Sequence, residues 1–243
     1  MNPTAQPVSR IEVATEQGTM HFRGTRTGRR IVLVILGAFE KEGAFRRVPE
    51  LMPEFDVLIA HLPGNHCPWL EDMSLAAVTA AFDEAIAKTA SDAPILAAGI
   101  STGALVALGL KAANVRRLLL IEPPIRPHLA WPLREYQMQG HADRFRLVGP
   151  IFGIYADRIE PRDYSDLLHE LDRPAQVLMG EVPPAEPFPF TDGLPSLVDA
   201  MTRSDLEAHP LVTRRLVRGV GHNIPGRASQ VVLDTLRQTA AML

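Results

Sequence analysis

The sequence predicts an α/β fold, a mostly parallel β-sheet flanked by helices, with a small helical insertion. Short apolar runs bounded by glycine or proline predict strands that are buried on both faces. Segments with apolar residues at helical spacing separate these runs from residue 31 to the end of the chain. This alternation requires crossover connections between strands, and such connections produce a mostly parallel sheet.

The elements can be placed in order along the chain. Residues 11–14 and 19–23 predict a short N-terminal hairpin, and Lys41–Met52 predicts a helix or turn. Ser74 is the predicted N-cap of the first long helix. The other strands are predicted at Ile31–Leu36, Phe55–Leu62, Pro94–Gly99, Val115–Ile121, Ala175–Met179 and Val212–Val217, and the long helices at Ser74–Ala90, Thr102–Ala113, Leu194–Ala208 and Ala228–Met242.

One segment, residues 123–172, interrupts the alternation and is rich in aromatic residues. We expect residues 1–122 and 173–243 to form the core and residues 123–172 to form a small, mainly helical lid inserted into it. Trp131, Tyr136 and Phe152 of this segment are predicted to line an apolar substrate pocket.

Composition excludes several classes of function. The 243 residues are 46% apolar and 22% charged, with a net charge of -3 and no long block of one sign. Nothing in this balance calls for a nucleic acid or a membrane as partner. Cys67 is the only cysteine, and the N-terminus has no apolar signal core, so we expect a cytoplasmic protein without an internal disulfide. A monomer or a homodimer fits the sequence equally well.

The most informative motif is Gly99-Ile100-Ser101-Thr102-Gly103. A buried strand leads directly into it, and a helix of small apolar residues leads out. This context is that of a nucleophile elbow, in which a strained turn projects a serine hydroxyl above the sheet edge. Glycine on both sides removes side chains that would collide in such a turn. Ser101 is therefore the predicted nucleophile.

Two backbone regions predict an oxyanion hole. The amide of Thr102 follows the nucleophile at a helix N-terminus, where the helix dipole stabilises negative charge. The loop after the first long strand contains Gly37, and the amide of Ala38 or Phe39 is the predicted second donor.

The predicted general base is His222. It lies after the last strand and before the last helix, between flanking glycines that allow close approach. A base for Ser101 must come from a loop at the same edge of the sheet, and His222 is the histidine late in the chain that meets this condition.

The acid that should orient His222 has more than one candidate. Glu122 ends the fourth strand of the alternating series, and Glu181 follows the fifth. Both lie at the C-terminal edge of the predicted parallel sheet, where ligands bind. The two remain equal alternatives, and Glu186 and Asp192 are further candidates.

A metal site is not predicted. His61, His66 and Cys67 are close in sequence, but their spacing fits no zinc pattern and no second ligand pair follows. Cys67 lies outside any strand-to-helix elbow, so we interpret it as a structural or incidental thiol. We expect no cofactor.

The motifs make residues 30–243 resemble the α/β-hydrolase superfamily. The resemblance rests on Gly37-Ala38, Leu62-Pro63-Gly64, Gly99–Gly103 and Gly221-His222. Within the superfamily, the stretch from Ala44-Phe45 through Met52-Pro53 to Gly64 looks like the start of a thioesterase domain. Such domains often carry the acid after the strand that follows the nucleophile helix, which favours Glu122.

The sequence departs from the superfamily at two positions. The wider family often places an aspartate three residues past a glycine after the next strand, where this chain has Pro183. Many relatives have His-Gly where this chain has Leu36-Gly37.

Three functions follow from the resemblance and these departures. The first is a serine hydrolase that cleaves a small-molecule acyl ester or thioester through an acyl-enzyme on Ser101. The second is a binding protein that keeps the fold with little or no turnover. The third is a lyase or acyltransferase that uses the same Ser–His pair, since one fold hosts many chemistries.

Overall fold

The computed structural model of the chain describes residues 9–40, 42–131, 134, 142–181 and 194–243. Strands within these residues are Ser9–Thr15 (β1), Gly18–Gly24 (β2), Ile31–Ile35 (β3), Asp56–Ala60 (β4), Ile95–Ile100 (β5), Val115–Ile121 (β6), Ala175–Gly180 (β7) and Val212–Val217 (β8). Helices are Val48–Leu51 (α1), Leu75–Ala90 (α2), Thr102–Gly109 (α3), Ala142–Phe152 (α4), Ser165–His169 (α5), Ala200–Ala208 (α6), Ile224–Arg227 (α7) and Ser229–Ala241 (α8), with 3₁₀ turns at Gly43–Phe45 and Pro127–Ala130.

The strands form one sheet in the order β1-β2-β4-β3-β5-β6-β7-β8. β1 and β2 are an antiparallel hairpin, as predicted, and β2 pairs antiparallel with β4. From β4 to β8 every pairing is parallel. The predicted α/β fold is confirmed. The C-terminal ends of β3, β5, β6, β7 and β8 therefore meet at one edge of the sheet.

The central strands β3 and β5 are buried on both faces, which explains their continuously apolar sequences. In β3, Ile31, Leu33 and Ile35 belong to one apolar cluster, whereas Val32 and Val34 belong to another. Successive side chains of a strand point to opposite faces, so the two clusters lie on opposite sides of the sheet. None of the described helices combines the length and apolar character needed to cross a membrane.

Helix α3 is shorter than predicted, since it ends at Gly109 rather than at Ala113. The backbone of Leu110 is extended, and the Asp83 carboxylate accepts hydrogen bonds from the amides of Lys111 and Ala112. A side chain from α2 thus satisfies amides that a longer helix would have used, and it sets the path into β6.

Helix α6 begins at Ala200, six residues later than the predicted start at Leu194. Asp199 is its N-cap and accepts hydrogen bonds from the amides of Met201 and Thr202. Residues 194–198 form no helix, and Ser196 and Leu197 contact Glu122 at the end of β6.

The segment 123–172 contains α4, α5 and the 3₁₀ turn at Pro127–Ala130. Leu147, Val148 and Ile151 of α4 are buried in the same apolar cluster as the sheet. The helical character predicted for this segment agrees with the described residues, and its assignment as a lid stays a prediction.

Candidate active site

Ser101 lies on a sharp turn between β5 and α3, with φ 52° and ψ -119°. A Cβ added at Gly99 would lie 2.2 Å from the carbonyl oxygen of Gly103, and one added at Gly103 would lie 2.2 Å from that of Ile35. Both positions therefore require glycine. The turn holds Ser101 in a conformation that L-residues rarely adopt, and such strain is typical of functional sites.

His222 follows β8 and is held by its neighbours on both the backbone and the side chain. Its amide donates to the carbonyl of Leu194 at 2.9 Å. Its ring Nδ1 lies 3.1 Å from Glu122 Oε2. Because a carboxylate only accepts, Nδ1 carries the proton of this bond, and Nε2 of the neutral ring is left with its lone pair.

Glu122 is wholly buried at the end of β6 and has a positive φ of 54°. Its Oε1 accepts hydrogen bonds from the Gly180 amide at 2.6 Å and the Ser196 hydroxyl at 2.8 Å. Its Oε2 accepts from the Leu197 amide at 2.9 Å, in addition to His222. A buried carboxylate loses its hydrogen bonds with water, and these four donors replace them.

Glu181, the equal alternative in the sequence, does not join this cluster. Its side chain is exposed, and its Oε2 accepts a hydrogen bond from the Gly219 amide at 2.8 Å. Glu181 thus contacts the loop after β8, whereas Glu122 contacts the histidine; these contacts favour Glu122, and the identity of the acid stays a prediction. Pro183, Glu186 and Asp192 lie outside the described residues.

The loop after β3 is shaped by two side chains that the sequence reasoning missed. The Gly37 amide donates to Glu40 Oε2 at 3.0 Å. The buried Asn65 side chain donates to the carbonyls of Gly37 and Glu40, at 3.3 Å and 3.1 Å. Phe39, between them, has a positive φ of 64°. A charged residue directly after a strand-end loop was the signal available for Glu40, whereas Asn65 lies 28 residues away from Gly37 and gave none.

The predicted oxyanion donors, Ala38, Phe39 and Thr102, all line one cavity. Within the described residues, their amides donate to no backbone carbonyl. The first amides of a helix have no intrahelical partner, which applies to Thr102 at the start of α3. These amides are therefore available to an oxygen bound in the cavity.

The cavity has a volume of about 380 Å³ and contains Ser101 and His222 in its wall. Of the predicted pocket aromatics, Phe152 lines it. Trp131 is 44% exposed and is not part of the described lining, and Tyr136 lies outside the described residues. The other described lining residues are Gly37, Ala38, Phe39, Glu40, Ile100, Thr102, Val148, Ile154, Leu194, Leu197, Asn223 and Pro225.

Glu40 is a partly buried carboxyl group in this wall. Burial raises the pKa of Glu40, whereas the hydrogen bond from the Gly37 amide and the positive charge of protonated His222 lower it. Desolvation is the largest of the three effects.

Cys67 lies away from this cavity and donates from Sγ to the carbonyl of Leu62 at 3.0 Å. Burial raises the pKa of this thiol to about 11, so it is protonated and unreactive near neutral pH.

His61 and His66 stack edge to face with ring centroids 5.3 Å apart. No group of three or more histidine, cysteine or acidic side chains is arranged to hold a metal ion in the part of the chain that the structure describes.

No protein-family model and no curated protein matches the sequence. Solved structures do match. An α/β hydrolase from Novosphingobium aromaticivorans is similar with a TM-score of 0.72 and 16% identity, over 97% of this chain and 99% of that one. An esterase from Thermogutta terrifontis is similar with a TM-score of 0.66 and 15% identity, over 95% of this chain and 97% of that one.

The thioesterase domain of the curacin biosynthetic pathway gives a TM-score of 0.63 and 15% identity, over 96% of this chain and 100% of that domain. At such identities the likeness concerns the fold, and each match spans nearly the whole of both chains. With the sheet order and the elbow at Ser101, these matches establish that the chain has the fold of the α/β-hydrolase superfamily.

Proposed function

We propose that the chain is a serine hydrolase that cleaves an acyl ester or thioester. The observation that carries the proposal is the 3.1 Å contact between His222 Nδ1 and Glu122 Oε2, next to the cavity that also contains Ser101. It supplies an oriented base for a serine on a strained turn, which is the arrangement that nucleophilic acyl transfer requires.

In the first step, His222 Nε2 removes the proton of Ser101 Oγ as this oxygen attacks the acyl carbonyl carbon. The carbonyl oxygen becomes negatively charged, and the amides of Thr102 and of Ala38 or Phe39 donate hydrogen bonds to it. The buried Glu122 carboxylate stabilises the imidazolium that forms. The imidazolium then protonates the leaving alcohol or thiol, and the acyl group remains on Ser101.

In the second step, His222 removes a proton from water, and the hydroxide attacks the acyl-enzyme. The same amides stabilise the second oxyanion, and His222 returns the proton to Ser101 Oγ as the carboxylic acid leaves. These steps need no group from outside the chain except water. The mainly apolar cavity wall favours a hydrophobic acyl chain, and its volume of about 380 Å³ favours a small one.

A fluorophosphonate probe tests the nucleophile. We expect one covalent adduct on Ser101 of the wild-type protein, none on Ser101→Ala, and much slower labelling of His222→Asn. The wild type should also hydrolyse p-nitrophenyl butyrate and butyryl thioesters. Circular dichroism of each variant controls for folding.

Two results would contradict the proposal. A folded wild-type protein without any adduct on Ser101 would favour the binding-protein alternative. Labelling of Ser101 with acyl transfer to an added alcohol or amine, and no net hydrolysis, would identify an acyltransferase instead.

A further inference from the structure

Glu40 is an acidic side chain in the cavity wall that the proposed reaction does not use. Its Oε2 accepts a hydrogen bond from the Gly37 amide at 3.0 Å. A Cβ added at Gly37 would lie 3.2 Å from Glu40 Oε2 and 3.3 Å from Ser101 Cβ. The carboxyl group and the Ser101 side chain thus both lie close to Gly37, in the wall of the cavity that would hold the acyl group.

Among the described residues, the cavity lining contains no lysine or arginine that could neutralise a second negative charge beside Glu40. His222 is the other titratable side chain in this described lining. Arg144 of α4 lies near the wall, with Cζ 5.4 Å from the centroid of the Phe39 ring, but it is not part of the described lining. Outside the described residues, 135–141 and 182–193 contain no lysine or arginine, and Lys41 directly follows Glu40 in the sequence.

We propose that Glu40 is a specificity-determining residue that restricts the acyl group to uncharged or positively charged chains and excludes chains that end in a carboxylate. The inference rests on the proposed acyl chemistry at Ser101. An acyl chain that ends in a carboxylate would bind either next to the negative charge of Glu40 or after one of the two carboxylates has taken up a proton. Both alternatives weaken binding in a mostly apolar cavity. An uncharged or cationic chain meets neither obstacle.

Matched substrates test this inference. We would measure kcat/KM for p-nitrophenyl hexanoate and for mono-p-nitrophenyl adipate, whose acyl chains have the same number of carbons and differ in a terminal carboxylate, after subtraction of the uncatalysed rates. The wild type should prefer the hexanoate by at least about 30-fold. Glu40→Gln keeps an acceptor for the Gly37 amide and should reduce this ratio by about tenfold, the effect of one pK unit of charge–charge interaction.

The ratio is the readout because Glu40→Gln also changes the loop and therefore both rates. Glu50→Gln removes an exposed carboxylate of α1 outside the cavity and should leave the ratio unchanged. If Glu40→Gln does not fold, a third ester of the wild type, p-nitrophenyl 4-(trimethylammonio)butyrate, takes its place. The expected order of kcat/KM is then cationic or neutral first and adipate last.

The outcomes separate this inference from the proposed function. Wild-type protein that reacts with fluorophosphonate and hydrolyses the hexanoate, but accepts the adipate equally well, overturns the role of Glu40 alone. A ratio that survives Glu40→Gln unchanged overturns it as well. Absence of both labelling and hexanoate turnover overturns the proposed function, and the inference about Glu40 with it.

Discussion

The ends of β6 and β7 carry the same residue type in nearly the same setting and differ in almost every contact. Glu122 directly follows β6 and Glu181 directly follows β7, and prolines follow both within three residues. Glu122 is wholly buried and accepts four hydrogen bonds, one of them from His222. Glu181 is exposed and accepts one, from the Gly219 amide.

Sheet order explains part of this difference. β6 lies beside β5, and the amide of Ser101 donates to the carbonyl of Ile121, the residue before Glu122. β7 is one strand farther from the nucleophile. Of these two strand ends, that of β6 is the one adjacent to the elbow, which places Glu122 nearer to the nucleophile than Glu181.

The other part comes from a distant segment. Ser196 and Leu197 lie 74 and 75 residues after Glu122, and both donate to its carboxylate. Arg203 of α6 donates to the Ser196 hydroxyl and to the carbonyl of Gly180, which ties this segment to the end of β7. A strand-end carboxylate thus becomes part of a site when another part of the chain surrounds it with hydrogen-bond donors.

Replacing each glutamate with glutamine should change the activity very differently at the two positions. Glu122→Gln should lower kcat/KM by about 10³–10⁴-fold, because an amide at this position favours the wrong His222 tautomer and no longer stabilises the imidazolium. Glu181→Gln should change kcat/KM by less than about threefold, since its side chain faces solvent. Steady-state hydrolysis of p-nitrophenyl butyrate measures both, and thermal melts of both variants control for folding. A larger loss for Glu181→Gln would reverse the assignment.

The fold was predictable because its signals are local. The central parallel strands bury both faces and therefore appear as unbroken apolar runs, as in Ile31–Ile35. The elbow was predictable for the same reason, since Gly99, Ser101 and Gly103 are close in sequence. The end of α3 and the start of α6 were placed wrongly, because Asp83 and Asp199 determine them through side-chain hydrogen bonds.

Only those features of the site that follow from the order of elements along the chain were predictable. His222 could be predicted as the base because it lies in a loop at the same edge of the sheet as Ser101, but the contacts that favour Glu122 over Glu181 come from residues 194–197. Asn65 and Glu40 shape the loop at Gly37 by the same kind of contact. Such contacts leave no periodic pattern in a sequence.

A matched pair of glycines extends the comparison to stability, since each donates its amide to one of the two glutamates. A Cβ at Gly180 would lie 2.5 Å from the carbonyl oxygens of Val220 and Gly221, so Gly180→Ala should lower the free energy of unfolding by about 3 kcal/mol. Gly219 has a φ of 65° and open space around its α-carbon, so Gly219→Ala should lower it by about 1 kcal/mol.

Chemical denaturation measures both changes. Equal losses for the two variants would mean that the loop after β8 moves away from Gly180 at little cost, and the end of β6 would then be less rigidly enclosed than its contacts indicate.

A smaller effect on activity than that of Glu122→Gln is expected from the hydroxyl of Ser196, which donates to Glu122 and accepts from Arg203. Ser196→Ala leaves both groups without one buried partner and should lower the free energy of unfolding by about 1–3 kcal/mol. It should also lower kcat/KM by about tenfold, because the carboxylate is then less firmly oriented towards His222. Exposed Ser229 at the start of α8 provides a control, since Ser229→Ala should change neither quantity measurably. Unchanged activity in Ser196→Ala would show that the Gly180 and Leu197 amides orient Glu122 without the hydroxyl, and the distant segment would then act through its backbone alone.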